Sequence, residues 1–240
     1  LKIAIISDIH GNLEALLAVL KDIGHQRVER VACLGDCVGY GADPGAVLQV
    51  LRSEEIPCIL GNHEEAAYDE AVVEWFNPQA RAAIERTREL LSDHEIEAFK
   101  YWPRTMEVEG ALCVHGFPPR SVETYLFEVP RARVAEVLEE LPQSLCFVGH
   151  THTLQMIAWD GERVRNYRLS EGTLALEDAK YIVNVGSVGQ PRDGDNRAKY
   201  VIWDLENQNL EIRYVAYNIA RASQKILDVG MPDICAKRLW

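Results

Sequence analysis

Long apolar runs are missing from this sequence: none approaches the ~20 residues that a membrane-spanning helix needs. The first residues, LKIAIISDIHGN, lack the basic-then-apolar layout and small-residue cleavage site of a secretory signal. Basic residues are in deficit. Lys plus Arg number 25 against 37 Asp plus Glu, for a formal charge of −12. That balance argues against a sequence-blind nucleic-acid binder, which needs a basic face to displace counterions from phosphates. A phosphate-bearing substrate stays compatible, since bound metal ions supply positive charge locally. Cysteine is sparse as well. Six cysteines, at 33, 37, 58, 113, 146 and 235, form no CxxC pair and are too few for a disulfide framework. Cys33, Cys58, Cys113 and Cys146 lie inside apolar runs, where a small buried side chain is the expected role. No internal repeat, low-complexity tract or Ser/Gly/Pro-rich linker is visible. These absences set aside the membrane, secreted, collagenous and disordered classes. The expectation is a cytoplasmic protein with neither a stable nucleic-acid partner nor a membrane partner.

What is present is ordinary for a globular protein, 48% apolar and 26% charged residues, with length enough to bury a core without staples. Short apolar runs recur, and each stops at a polar cluster. KIAIIS (2–7) precedes Asp8-Ile9-His10, RVACL (30–34) precedes Gly35-Asp36, and IPCIL (56–60) precedes Gly61-Asn62-His63. ALCV (111–114) precedes His115-Gly116, and LCFV (145–148) precedes Gly149-His150-Thr151-His152. Runs this short, rich in Ile, Val and Leu without clean alternation, predict strands buried on both faces. Helical patterns at 13–23 and 44–54 separate the first three, the second opening with Asp-Pro at cap and first-turn positions. That alternation predicts right-handed crossovers and a largely parallel arrangement.

Residues 64–104 differ. They carry helical patterns at 79–91 and 92–102, the latter with Ser92 and Glu95 at capping-box spacing. They read as inserted helices covering or flanking a site. Beyond 152, LQMIAW, Asp160-Gly161 and RVRNYRL give a hairpin signal. YIVNVGS (181–187), KYVIWDL (199–205) and LEIRYVAY (210–217) predict further strands, and IARASQKILDV a helix near the C-terminus. The economical reading is one α/β domain over 1–240, built from two sheets.

The polar clusters carry the chemistry. In open α/β sheets, ligands bind outside the C-terminal ends of the strands. Asp8, His10, Asp36, Asn62, His115, His150 and His152 supply four imidazoles, two carboxylates and one carboxamide oxygen at such ends. Spacing of i, i+2 lets Asp8/His10 and His150/His152 project to one side. Seven ligands exceed what one ion takes from protein, and suit two ions bridged by a carboxylate and a hydroxide. With no thiolate, the N/O set suits Mn, Fe, Co, Ni or Zn alike. Taken singly, Asp-x-His reads as a cap or turn, Gly-Asn-His as a turn, and His115 as a hydrogen-bonded core histidine. Their joint placement favours a metal centre. His25 and His94 lie elsewhere and are assigned surface or capping roles.

In order, Asp8-x-His10, Gly35-Asp36-(x4)-Gly41, Gly61-Asn62-His63-Glu64, His115-Gly116 and Gly149-His150-x-His152 resemble the motifs of the calcineurin-like metallophosphoesterases. LGDCVGYGADP (34–44) and VGSVGQPRDGD (185–195) look more narrowly like the small prokaryotic phosphodiesterase-type branch. One departure is Val185, where the family's Asn-Pro-Gly-Ser turn has proline, a change that touches loop rigidity more than ligation. The resemblance implies a four-layer αββα sandwich of two mixed sheets flanked by helices. It implies that Asp8, His10, Asp36 and His152 hold one divalent ion, and that Asp36 bridges to a second held by Asn62, His115 and His150. His63 stays free of metal and faces the leaving group as general acid, while a metal-bridging hydroxide attacks phosphorus. Small phosphodiesters, including nucleotides, are the first-choice substrates. Phosphomonoesters, dinucleoside polyphosphates and phosphoproteins are the others.

Three further points stay two-sided. Arg192 is either a phosphate clamp or the partner of Asp193 or Asp195 in a loop salt bridge. Tyr40 either borders the pocket or packs, with packing favoured. Trp75, Phe76, Tyr101 and Trp102 either stack on a nucleobase or, by helical context, pack in the core. The alternative function is a catalytically silent metal-binding scaffold of the same fold. It predicts eroded motifs, whereas Asn62-His63 is intact. An amidohydrolase barrel would begin with His-x-His on its first strand; this chain begins with Asp-x-His. No apolar helix face marks a dimer contact.

Overall fold

Residues 1–240 are all described in the computed structural model. Alternation along the first strand, β1 (Lys2–Ile6), already fixes the layering: Ile3 and Ile5 face one side, Ala4 and Ile6 the other. Ala4 and Ile6 pack against helices α1 (Leu13–His25) and α2 (Pro44–Ser53). Ile3 and Ile5, with Val201 beside them in the same sheet, meet the inner face of a second sheet through Phe147 and Val183. All of these are fully buried, each worth about 1.5–3 kcal/mol if a Val, Ile or Phe side chain.

The first sheet has the order β2-β1-β10-β11-β8, with β2 (Arg30–Cys33), β8 (Gly172–Ala175), β10 (Ala198–Asp204) and β11 (Asn209–Val215). The second has the order β3-β4-β5-β9-β6-β7. Its strands are β3 (Thr105–Val108), β4 (Ala111–Val114), β5 (Leu145–Val148), β6 (Gln155–Trp159), β7 (Val164–Arg168) and β9 (Lys180–Asn184). Its outer face is covered by α7 (Arg131–Glu140), whose Val134, Val137 and Leu138 meet Val114, Cys146 and Ile182. Helix, sheet, sheet, helix is the four-layer αββα architecture expected from the resemblance.

Both sheets are mixed rather than largely parallel. Parallel pairing is confined to β1/β2, β4/β5 and β5/β9, because β10 returns antiparallel beside β1 instead of arriving through a helical crossover. The strand expected at 56–60 is reduced to one bridge, Cys33 to Cys58. Pro57 has no N–H to extend the ladder. The Asp160-Gly161 hairpin pairs β6 with β7.

Between the sheets' exits lie α3 (Asn62–Tyr68), α4 (Glu70–Val73), α5 (Pro78–Leu90) and α6 (Asp93–Ala98). Ser92 caps α6 and Glu95 returns the bond, completing the expected box. The C-terminal helices are α8 (Ile219–Asp228) and α9 (Asp233–Lys237). No helix is long and apolar enough to cross a membrane.

Candidate metal centre

The site is assembled by loops that go on pairing after their strands end. Leu34 N–H donates to the Ile6 carbonyl, Asp8 N–H to Gly35, His10 N–H to Asp36 and Gly11 N–H to Cys37, at 2.8–3.1 Å. On the other flank, Val188 N–H donates to Ser7 and Gly189 N–H to Asp8. The β1 exit is therefore clamped between two loops. Asp8, His10, Asp36, His150 and His152 all have φ between 49° and 67°, tight turns that swing their side chains to one place. Two glycines permit this crowding. A Cβ at Gly61 would lie 2.2 Å from Asp36 Oδ1, and one at Gly149 would lie 2.0 Å from Ser7 Oγ. The Glu64 carboxylate accepts from the N–H groups of Asp36, Gly61 and Val38 at 2.8–3.1 Å, tying the start of α3 to the Asp36 loop.

Asp8, His10, Asp36 and His152 form one group, and Asp36, His115 and His150 another; within each, the donor atoms lie within 4.8 Å of one another. Asn62 Oδ1 joins the second group, 3.1 Å from His115 Nε2. Asp36 is common to both. Its Oδ1 accepts from His63 N–H at 2.9 Å, while Oδ2 lies 3.6 Å from His10 Nε2 and 3.3 Å from His115 Nε2. Ligands on a first-row ion with bonds near 2.1 Å sit about 3.0–3.4 Å apart, close to the separations here.

The histidines are oriented for the task. The Nδ1 atoms of His10, His115 and His152 lie 2.6–2.9 Å from the Val38, Leu34 and Gln190 carbonyls, so each donates there and turns Nε2 to the cluster. His150 is reversed, its Nε2 donating to the Glu123 carbonyl at 2.9 Å and leaving Nδ1 free. These residues fit a pair of divalent ions.

The profile of the calcineurin-like phosphoesterase superfamily domain matches residues 1–208. The chain belongs to this superfamily. It is similar, at 36% identity over 99% of its length and 97% of the relative's, to an uncharacterized protein of Methanocaldococcus jannaschii. A metallophosphoesterase from Sphaerobacter thermophilus superposes with TM-score 0.85 at 36% identity, covering 100% of this chain and 98% of that one. A hypothetical protein from Pyrococcus horikoshii shares the fold, with TM-score 0.81 at 17% identity over 100% and 97% of the two chains.

Charge in this calcineurin-like centre is set by burial and by mutual contact. Burial pushes the Asp8 carboxyl up to about 7. At Asp36 burial acts the same way, but His115, His63 and His10 outweigh it and hold the carboxyl well below its usual range. Burial would lower His115, yet Asp36 beside it raises the imidazole to about 10. An ion held by His115 would therefore have to displace a proton from it. Below that pKa the competing proton costs about tenfold in affinity per pH unit. Metal affinity should thus rise at least tenfold between about pH 7 and 8, measured by competition with a chelator dye; a flat profile would contradict this.

The candidate metal centre opens into a cavity of about 260 Å³ lined by His63, Tyr40, Phe76, Trp75, Tyr125 and Arg192, among others. Tyr40 both packs and borders it: 7% exposed, its ring 4.7 Å from His10 and 4.5 Å from His63. Arg192 makes neither loop salt bridge considered from sequence. Asp193 pairs with the fully buried Lys199, and Asp195 with Arg197. Arg192 instead reaches Gln190 Oε1 at 3.0 Å and lies 5.9 Å from the Tyr40 ring.

The aromatics divide. Trp75 is 86% exposed and Tyr101 82%, so neither is core. Phe76 sits 5.1 Å from His63, and Trp102 packs edge-on to Phe99. Tyr125, which the sequence reasoning passed over, stacks on His150 at 3.9 Å; its loop has no periodicity that would mark it. His25 and His94 are exposed. Val185 N–H donates to the Val148 carbonyl at 3.0 Å, a bond that the family's proline could not make.

Proposed function

We propose that this chain is a metal-dependent phosphoester hydrolase acting on small phosphodiesters, nucleotides first among them. The observation that carries the reading is the sharing of Asp36 between two ligand groups that open into one cavity with His63 and Arg192. Two divalent ions held there would supply Lewis-acid charge for the phosphoryl oxygens and activate a water.

The chain's own residues do the rest. Asp8 and Asp36 contribute two negative charges against four positive, so the centre attracts an anion inside an acidic protein. His63 belongs to neither ligand group, is 3% exposed, and has no hydrogen-bond partner at Nδ1. Burial pushes its pKa down to about 4. In the free protein the imidazole is therefore neutral at about pH 7; a phosphate anion lying against it would favour its protonation, and it would then deliver that proton to the leaving oxygen. Arg192, free of the loop carboxylates, clamps the non-bridging oxygens.

The exposed Trp75 beside the cavity, with Phe76 and Tyr125, favours a planar group on the ester. Arg192→Ala should lower kcat/KM for a nucleotide diester about 10–100-fold, mostly through KM, the effect of losing a charged hydrogen-bond donor. An unchanged KM would remove Arg192 from the substrate site.

The reading is tested by hydrolysis of a chromogenic phosphodiester and its monoester by chelator-stripped protein, with and without Mn²⁺. Metal-restored activity favouring the diester is the expected result. No hydrolysis of either ester with two ions bound would favour the scaffold alternative.

A further inference from the structure

Three of the six cysteines converge on one point: Cys33 and Cys58, expected from sequence to be small buried side chains, and Cys37. Cys33 ends β2 and Cys58 lies opposite it in the single parallel bridge, so both side chains leave on the same face. Cys37 turns back to them after the Gly35-Asp36 bend. Asp36 points into the metal centre while Cys37 points into the core beneath α1 and α2. The Cys33 and Cys37 sulfurs are 3.5 Å apart, and all three sulfurs lie within 4.8 Å of one another. Three sulfurs on one ion with bonds near 2.3 Å would be about 3.8–4.0 Å apart. Closing this triangle onto one ion needs shifts of no more than about 1 Å.

We propose that Cys33, Cys37 and Cys58 form a second, all-sulfur site that takes one soft d10 cation, distinct in chemistry from the N/O centre. Thiolates select such ions over the Mn²⁺-type ions that suit imidazole and carboxylate. Each thiol that ligates releases its proton, leaving a net charge of −1 on a divalent ion held by three thiolates. An access route exists. Cys33 and Cys37 are fully buried, but Cys58 is half-buried and lines a groove of about 460 Å³ between α2 and α6. That groove also leaves a side from which water can complete the coordination. The remaining cysteines, Cys113, Cys146 and Cys235, join no such group.

The test uses Cd²⁺ as the probe on the reduced, chelator-stripped full chain. An ultraviolet sulfur-to-cadmium band should grow to one equivalent per chain, with a cadmium NMR resonance in the sulfur-ligated range. Cys58→Ser, at the half-buried position, should weaken that binding at least tenfold while the far-ultraviolet circular dichroism is unchanged. Absence of the sulfur-to-cadmium band in the unmutated protein would overturn the proposal, without reference to any variant. So would a band of full height and affinity in folded Cys58→Ser. Neither readout involves phosphoester hydrolysis, so failure here is separate from failure of the hydrolase reading.

Discussion

His63→Ala should lower turnover by about 10²–10⁴-fold, the usual worth of a positioned general acid, while both metal ions stay bound. Its side chain is absent from both ligand groups, and its one hydrogen bond to a member of them is from the backbone N–H, donating to Asp36 Oδ1. Alanine keeps that N–H. The ring fills a slot between His10 and Phe76, so the loss falls on the proton rather than on the framework. Esters with poor leaving groups should suffer most, because they depend most on protonation of the departing oxygen. Metal content by elemental analysis, with kcat measured across leaving groups of graded pKa, checks this. Loss of an ion in the variant would mean that His63 is a ligand rather than an acid.

Asp36→Asn should empty both metal positions together and abolish hydrolysis with them. The carboxamide can still accept from His63 N–H, so the loop keeps its shape. What changes is the charge on the one atom, Oδ2, that faces His10 on one side and His115 on the other. Loss of a group that only hydrogen-bonds a ligand costs about 10–100-fold in metal affinity, and removal of a charge that would face both ions should exceed that at both positions. Isothermal titration with Mn²⁺ resolves the outcome. One position left at full affinity would show that Asp36 serves a single ion.

Much of this architecture was legible because the chemistry sits where apolar runs stop. β4 and β5 occupy the residues of ALCV and LCFV; His115 follows the first at once, and His150 follows the second after Gly149. The same rule brought Asp8, His10, Asp36 and Asn62 into view. What escaped depends on partners far away in sequence. Pro57 removed a predicted strand by lacking one N–H. The direction of β10 escaped the reading from strand–helix alternation, which expected a largely parallel arrangement, whereas the family resemblance already implied two mixed sheets.

Lys199 sits in an apolar strand pattern, and nothing local announces that it is buried against Asp193. That pairing across six residues leaves Arg192 free for the cavity. The thiol triangle escaped in the same way, since spacings of four and twenty-one residues match no metal motif until the Cys33–Cys58 bridge forms.

The left-handed turns at Asp8, His10, Asp36, His150 and His152 carry a consequence for engineering. Such backbone costs a residue with a Cβ on the order of 1 kcal/mol, which glycine avoids. The chain thus carries several kcal/mol of backbone cost at these five positions, and glycine would not recover it, because it would also delete a buried side chain that accepts from the His63 or His150 N–H group or donates to the Val38, Glu123 or Gln190 carbonyl. A search for thermal tolerance would therefore find its gains elsewhere in the chain and leave these five positions as they are.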